Sequence, residues 1–272
     1  MKIPFTKMSG TGNDFVVIDN REGILPGARK QAFVRRVCAA KTSIGADGVI
    51  FIENSKIADF RWDFFNADGS SAEMCGNGSR CVARYAFEHR ITPDKLTFET
   101  IAGNISAQVN GESVKVRLNS PEGFRQNVGV PLEGGIIKVD IINTGVPHAV
   151  IYSDDVEAED LSNIGSGIRG HATFAPTGTN VDFVQIIDRH TIKIRTYERG
   201  VEGETLACGT GAVASAILAN RKGLVEAPVL VQIASGETLK IFFDATSGNG
   251  SFGEVFLEGL AVTTFEGTID DS

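Results

Sequence analysis

The sequence predicts an α+β fold of two similar halves, each built of strands around one helix. Three features predict it. At 272 residues the chain is longer than one hydrophobic core usually organises. Short segments of alternating polarity, separated by Gly turns, run through its whole length, as strands do. And two distant stretches repeat one arrangement: Asn66-Ala67-Asp68-Gly69-Ser70-Ser71-Ala72-Glu73-Met74-Cys75-Gly76-Asn77-Gly78 and Glu198-Arg199-Gly200-Val201-Glu202-Gly203-Glu204-Thr205-Leu206-Ala207-Cys208-Gly209-Thr210-Gly211. Each follows a predicted strand and carries an acidic, Gly-containing loop, then a Cys, then Gly-x-Gly, then a helical run. The duplication is of architecture more than of sequence.

In the first half, residues 4–8 and 14–19 are predicted strands around Ser9-Gly10-Thr11-Gly12-Asn13. Gly and Asn suit a hairpin turn there, and local sequence favours that plain role for Asn13 over ligand binding. Residues 30–38 form an amphipathic helix with Phe33, Val34 and Val37 on one side, and Cys38 belongs to that buried side. Gly45-Ala46-Asp47-Gly48 turns into a strand over 49–53. Phe60, Trp62 and Phe64 alternate with Arg61, Asp63 and Phe65, the period of a strand, which delivers Asn66 and the first cysteine loop. Helical character follows over 79–89, with Cys81 a core thiol, and then strands over 96–100, 104–109 and 113–118.

Ser120-Pro121-Glu122-Gly123 is the expected crossing, placing residues 1–119 in an N-terminal half with Cys75 and 120–260 in a C-terminal half with Cys208. In the second half, strands are predicted over 136–143 and 148–152, a short helix over 158–167, and strands over 181–187 and 191–197. The last of these delivers the second cysteine loop. The Ala-rich run 209–221 is a buried helix stopped at Gly223, and strands over 229–233, 238–243 and 254–257 close the half.

Composition narrows the function. Lys and Arg number 26 against 34 Asp and Glu, a net charge of −8, which argues against a nucleic-acid partner. Hydrophobic residues at 42% and charged residues at 22% suit a globular enzyme. The first ten residues lack the apolar run of a secretory signal, and no stretch is apolar enough to span a bilayer. The expectation is a cytoplasmic protein with no membrane partner. The four cysteines, 38, 75, 81 and 208, form no C-x-x-C pair, so a metal site is not expected. In a reducing compartment they are thiols.

A Cys at a helix N-terminus is chemically loaded. The unpaired N–H groups and the positive helix end favour negative charge, which is expected to lower a thiol's pKa, and the same groups can hold a carboxylate. Two such thiols could form a reversible disulfide, act as nucleophile and resolving thiol, or pass protons as a base and an acid. The last use fits the carboxylate-holding geometry best, because negative charge grows on the carboxylate as its α-carbon loses a proton. His148 and Glu198 are the polar groups best placed to tune the thiols.

The segments Lys7-Met8-Ser9-Gly10-Thr11-Gly12-Asn13-Asp14-Phe15, Asn66-Ala67-Asp68-Gly69-Ser70, Cys75-Gly76-Asn77-Gly78-Ser79-Arg80-Cys81, Pro147-His148, Glu198-Arg199-Gly200 and Ala207-Cys208-Gly209-Thr210-Gly211 resemble, in the same order, those of the diaminopimelate epimerase family. The resemblance extends to Thr263-Thr264-Phe265-Glu266-Gly267 and so covers nearly the whole chain. It implies a curled, mostly antiparallel, barrel-like sheet around a central helix in each half, with residues 261–272 returning to the N-terminal half. It implies an isomerase that needs no cofactor and interconverts LL- and meso-2,6-diaminopimelate in lysine and peptidoglycan precursor synthesis, commonly as a homodimer. Matched residue by residue, Cys75 and Cys208 are the acid/base pair, with Cys75 on the LL side. Gly76, Asn77, Gly209 and Thr210 grip the reacting carboxylate. Asn13, Asn66, Asn180, Glu198 and Arg199 contact the substrate, and His148 and Glu198 tune the thiols. Two positions depart from the pattern: Gly48 stands where some members carry Gln, and Val146 where some carry Asn. A racemase of another amino acid on the same fold, and a redox protein using a Cys75–Cys208 disulfide, are the alternatives.

Overall fold

A computed structural model of the chain describes residues 2–72, 74–244 and 253–271; Glu73, counted in the first acidic loop, and Ser272 lie outside the described residues. The chain divides into two units, Met1–Arg117 with Glu258–Ser272, and Leu118–Leu257.

The first unit opens with a hairpin of β1 (Lys2–Gly10) and β2 (Asn13–Asp19). Its two-residue turn puts Thr11 at φ 56° and Gly12 at φ 89°, the left-handed pair that matches strand twist. Helix α1 (Gly27–Cys38) follows Pro26, then β3 (Gly48–Glu53) and β4 (Phe60–Asn66). Helix α2 (Gly76–Glu88) leads to β5 (Lys95–Thr100), β6 (Gly103–Asn110) and β7 (Ser113–Leu118). The strands pair in chain order from β1 to β7, with β2–β3 and β4–β5 parallel and the rest antiparallel. Parallel neighbours need a crossover, and α1 and α2 supply the two. The last strand, β17 (Val262–Asp270), lies antiparallel to β1, from Lys2 opposite Asp270 to Ser9 opposite Val262.

Both faces of this sheet are covered. Strand β3 is apolar without interruption because Ile50 and Ile52 pack on the α2 side with Cys81, Val82 and Ala86, while Val49 and Phe51 pack on the α1 side with Phe33, Val34 and Val37. Sheets buried on both faces show such runs. Phe60 and Phe98, opposite each other on β4 and β5, stack with ring centroids 5.3 Å apart. Burying each aromatic is worth about 2–3 kcal/mol.

The second unit repeats the plan. Its strands are β8 (Glu122–Leu132), β9 (Gly135–Asn143), β10 (Pro147–Tyr152), β11 (Asn180–Asp188), β12 (Thr191–Glu198), the short β13 (Gly203–Thr205), β14 (Val229–Gln232) and β15 (Thr238–Phe243). Helix α3 (Leu161–Arg169), capped by the Asp160 side chain, crosses between β10 and β11; α4 (Gly209–Arg221) crosses between β12 and β14. Again two pairs are parallel, β10–β11 and β12–β14, while β8–β9, β9–β10, β11–β12 and β14–β15 are antiparallel. Read from β17 in one unit and β8 in the other, the succession of parallel and antiparallel pairs is the same. Strand β16 (Val255–Leu260) precedes β17.

Helix α4 is buried from Gly211 through Ala219. A helix apolar on all sides belongs inside a core, and its Ala side chains let the strands approach closely. The sheets are curled but not closed: among the described residues no pairing joins β17 to β7 or β8 to β15, so the barrel-like expectation gives way to open sheets. Most strands come at the predicted places, but β8, the short β13 within the second cysteine loop and β17 were not predicted as strands. The segment 120–123 was expected as a crossing, yet Glu122 already lies on a strand. That strand is mostly exposed, and one wet face plus two register shifts against β9 erase the alternation that would have announced it.

Candidate active site

In the first unit Cys75 is the residue that caps α2, with extended backbone (φ −147°, ψ 118°), and its Sγ accepts from the Gly78 N–H at 3.5 Å. The N–H groups of the first helical turn have no carbonyl within the helix to reach. Beneath them lies a chain of polar side chains. Asn77 Nδ2 donates to Asn13 Oδ1 at 2.7 Å, and Asn13 Nδ2 donates to Asp47 at 2.9 Å. The fully buried Arg80 donates to Asn77 Oδ1 at 2.8 Å, to Thr11 Oγ1 at 2.6 Å and to the Gly76 carbonyl at 3.3 Å. Asn13 and Asn77 are thus brought together. Asn66 is exposed and donates instead to Ser70 Oγ at 3.0 Å. Gly48 pairs with Asn66 in the β3–β4 register. A Cβ at Gly48 would lie 2.6 Å from the Phe65 carbonyl and 2.7 Å from the Phe64 ring, so this packing admits no side chain at that position.

In the second unit Cys208 caps α4 in the corresponding place, with extended backbone (φ −127°, ψ 104°). Its Sγ lies 3.5 Å from Thr210 Oγ1. Thr210 Oγ1 is 3.0 Å from His148 Nε2, and His148 Nδ1 is 2.7 Å from Asp182 Oδ2. The other Asp182 oxygen accepts from Thr196 Oγ1 at 2.7 Å. Asn180 Nδ2 approaches His148 Nε2 at 3.3 Å, and Asn180 Oδ1 accepts from the Arg199 N–H at 2.8 Å. The Arg199 guanidinium donates to the Thr177 carbonyl at 2.9 Å. The unit therefore gathers His148, Asn180, Arg199, Cys208 and Thr210. His148 and Asp182 have no exposed surface.

The electrostatics of Cys208 differ from expectation. Burial pushes its thiol well above the ordinary range, and the carboxylates of Glu198 and Asp182 push it further; the Thr210 hydroxyl and the Gly211 N–H pull the other way. Desolvation and two nearby negative charges outweigh the helix terminus. Burial likewise raises the Glu198 carboxyl, with Asp182 adding to the shift and the Thr205 hydroxyl and His148 opposing it. Cys38 and Cys81 are core thiols, each pushed up to about 12 by burial. Among the described residues no group of His, Cys, Asp or Glu is arranged to hold a metal ion.

Sequence reasoning missed Asp182, Arg80, Thr11 and Asp47. For Asp182 a signal existed. On β11, side chains alternate, and Val184 faces the α4 core while Val181 and Phe183 face the α3 side. Asn180 and Asp182 share the Val184 face. A carboxylate on a face otherwise turned to a buried helix marks a site that has a partner.

Two units of matching strand order define a fold found in solved structures of PhzF-type proteins and a probable proline racemase. A PhzF-family phenazine biosynthesis protein from Bacillus anthracis superposes with a TM-score of 0.78 at 15% identity over 99% of both chains. A probable proline racemase from Agrobacterium radiobacter K84 superposes at 0.70 and 17% identity, over 98% of this chain and 93% of that one. Residues 5–122 and 140–255 match the diaminopimelate epimerase profile. The diaminopimelate epimerase of Aquifex aeolicus is 49% identical over 98% of each chain. The chain belongs to the diaminopimelate epimerase family and is an enzyme of the isomerase class.

Proposed function

We propose that this chain converts LL-2,6-diaminopimelate to the meso isomer by a cofactor-independent two-base reaction in which Cys75 and Cys208 are the catalytic pair. The observation that carries the reading is the repeated placement of a cysteine as the cap of the central helix in each unit. One thiolate removes the α-proton, and the other thiol returns a proton to the opposite face of the carbon. The N–H groups of Gly76, Asn77, Gly209 and Thr210 take up the charge that grows on the α-carboxylate. A well-placed donor of this kind is worth about 2.7–4 kcal/mol in the transition state. The raised pKa of Cys208 suits it to begin as the proton-bearing thiol, leaving Cys75 to act as base on the LL isomer. Asn13, Asn66 and Asn180 bind the substrate, Glu198 and Arg199 contact its amino and distal groups, and His148 and Glu198 tune the thiols. We take the working form to be a cytoplasmic homodimer that supplies lysine and peptidoglycan precursors, a reading that rests on the family alone.

Proton NMR of LL-diaminopimelate with the reduced protein in D2O tests the reaction. Loss of the α-proton signal together with appearance of the meso isomer is expected. Neither change, in a folded and reduced sample, would overturn it, and a panel of other amino acids in the same experiment would find a different substrate. Replacing either cysteine, Cys75→Ala or Cys208→Ala, is expected to lower turnover at least 10²–10⁴-fold; undiminished turnover in either would end the two-thiol reading.

A further inference from the structure

A reversible two-base reaction raises a question at Cys208. In the meso-to-LL direction this sulfur must start as a thiolate, yet it sits buried beside Glu198 and Asp182, both of which disfavour that charge. Its proton needs somewhere to go. The second unit offers one continuous path, Cys208 Sγ to Thr210 Oγ1 at 3.5 Å, Thr210 Oγ1 to His148 Nε2 at 3.0 Å, and His148 Nδ1 to Asp182 Oδ2 at 2.7 Å.

Donor and acceptor roles along this path follow from its far end. Asp182 is a carboxylate whose other oxygen already accepts from Thr196. Its Oδ2 can therefore only accept from His148, which places the neutral ring's proton on Nδ1 and leaves Nε2 a bare lone pair. Asn180 Nδ2, a donor, also points at Nε2 from 3.3 Å, which fits a lone pair there and not an N–H. With Nε2 as acceptor, the Thr210 hydroxyl donates to it, and the oxygen's own lone pair faces the Cys208 S–H. Strand β11 and the α4 terminus are closely packed here: a Cβ at Gly211 would fall 2.3 Å from Asp182 Oδ1 and 3.3 Å from Cys208 Sγ.

We propose that Asp182 is a positioning residue and that the Thr210 hydroxyl is a proton relay, so that Cys208 exchanges its proton with His148 through Thr210. The step balances. The S–H bond of Cys208 breaks as its proton joins Thr210 Oγ1, and the proton that Thr210 held passes to His148 Nε2. The products are a thiolate, an unchanged neutral threonine and an imidazolium paired with the Asp182 carboxylate. The charged or titratable groups facing His148 are Asp182 and Glu198, with Cys208 at the far end of the hydroxyl. The inference rests on the two-base reading for its purpose, but its geometry can be measured without turnover.

The first test is ¹⁵N NMR of the imidazole rings in the whole, reduced protein, which carries four histidines, with His148 assigned by its loss in His148→Gln. The expected result is the Nδ1–H tautomer for neutral His148 in the native protein, changing in Asp182→Asn, whose amide can donate to Nδ1. An Nε2–H tautomer in the native protein would overturn the proposal whether or not any variant folds. The second test is kinetic. Thr210→Val removes the hydroxyl but keeps the backbone N–H, so kcat is expected to fall about 10²-fold with KM little changed, and Thr210→Ser to recover most of that loss. Equal kcat for Thr210→Val and the native protein would refute the relay. Failure of the native protein to turn over LL-diaminopimelate would count against the proposed reaction alone, since the tautomer is read separately.

Discussion

Alanine in place of Gly211 should destabilise the second unit, against the usual sign of a glycine-to-alanine change in a helix. In an open helix the substitution gains about 1 kcal/mol through propensity. Here the new methyl would sit 2.3 Å from Asp182 Oδ1. Regaining an ordinary contact requires a shift of about 1 Å between α4 and β11. Asp182 cannot absorb that shift freely, because Thr196 and His148 hold its two oxygens, each at 2.7 Å. Loss of one buried, charge-assisted hydrogen bond costs about 1.5–3 kcal/mol, and overpacking costs about 1–3 kcal/mol. Set against the propensity gain, the net loss is about 3 kcal/mol, or roughly 6–12 °C in Tm. Gly27→Ala is the control: it opens α1, where a Cβ would meet nothing within 4 Å, and should be neutral or slightly stabilising. Urea unfolding followed by circular dichroism measures both. Gly211→Ala as stable as the native protein would refute the claim that α4 is seated directly on the Asp182 carboxylate.

Other outcomes follow from the same structure. Arg80→Met should cost about 3 kcal/mol or more, since Thr11 Oγ1 and Asn77 Oδ1 lose a buried donor at about 1–3 kcal/mol each; thermal unfolding in which it matches the native protein would contradict this. The Glu198 carboxyl has a folded pKa raised above its unfolded value, so its contribution to stability is full below the unfolded pKa and is lost as pH rises through the folded one. Glu198→Gln should therefore flatten the fall in stability as pH rises from about 4.5 towards 7, measured by urea titrations across that range. A native protein showing no such fall relative to the variant would contradict the shift. Brief alkylation at pH 8 should label Cys75, which is half-buried, ahead of the buried Cys38, Cys81 and Cys208. Mass spectrometry of the peptides decides the order, and faster labelling of Cys38 or Cys81 would count against their assignment to the core.

Much of the fold was legible because its strands bury both faces or one clean face. Strand β3 announces itself as an apolar run, β4 by its aromatic alternation, and α4 by its Ala-rich composition. Strand β8 was hidden because it is mostly exposed and slips register twice. The cysteine loops were legible because Cys before Gly-x-Gly at a strand-to-helix junction is a local pattern. The network beneath them was not. Arg80, Thr11, Asn77 and Asn13 are joined across 69 and 64 residues of chain, and His148 meets Asp182 across 34. Such pairings depend on strand register, which a linear reading does not supply. The resting thiol of Cys208 was misjudged for a related reason, since burial first of all, and then the two carboxylates brought in by β11 and β12, reverse what the helix terminus alone would do.

The pairing of β17 with β1 sets the order in which a growing chain can finish folding. The second unit, Leu118–Leu257, is one continuous stretch, and all of it has been made before Val262 is added. The first unit has had its first 117 residues for longer, yet β1 stays an unpaired edge until β17 arrives. At a synthesis rate of ~5–20 residues per second the delay between those two strands is tens of seconds. Over that time an exposed strand edge is open to any passing strand. The half that is made first is thus the half completed last, and a chain cut short before its final strand would leave that edge open for good.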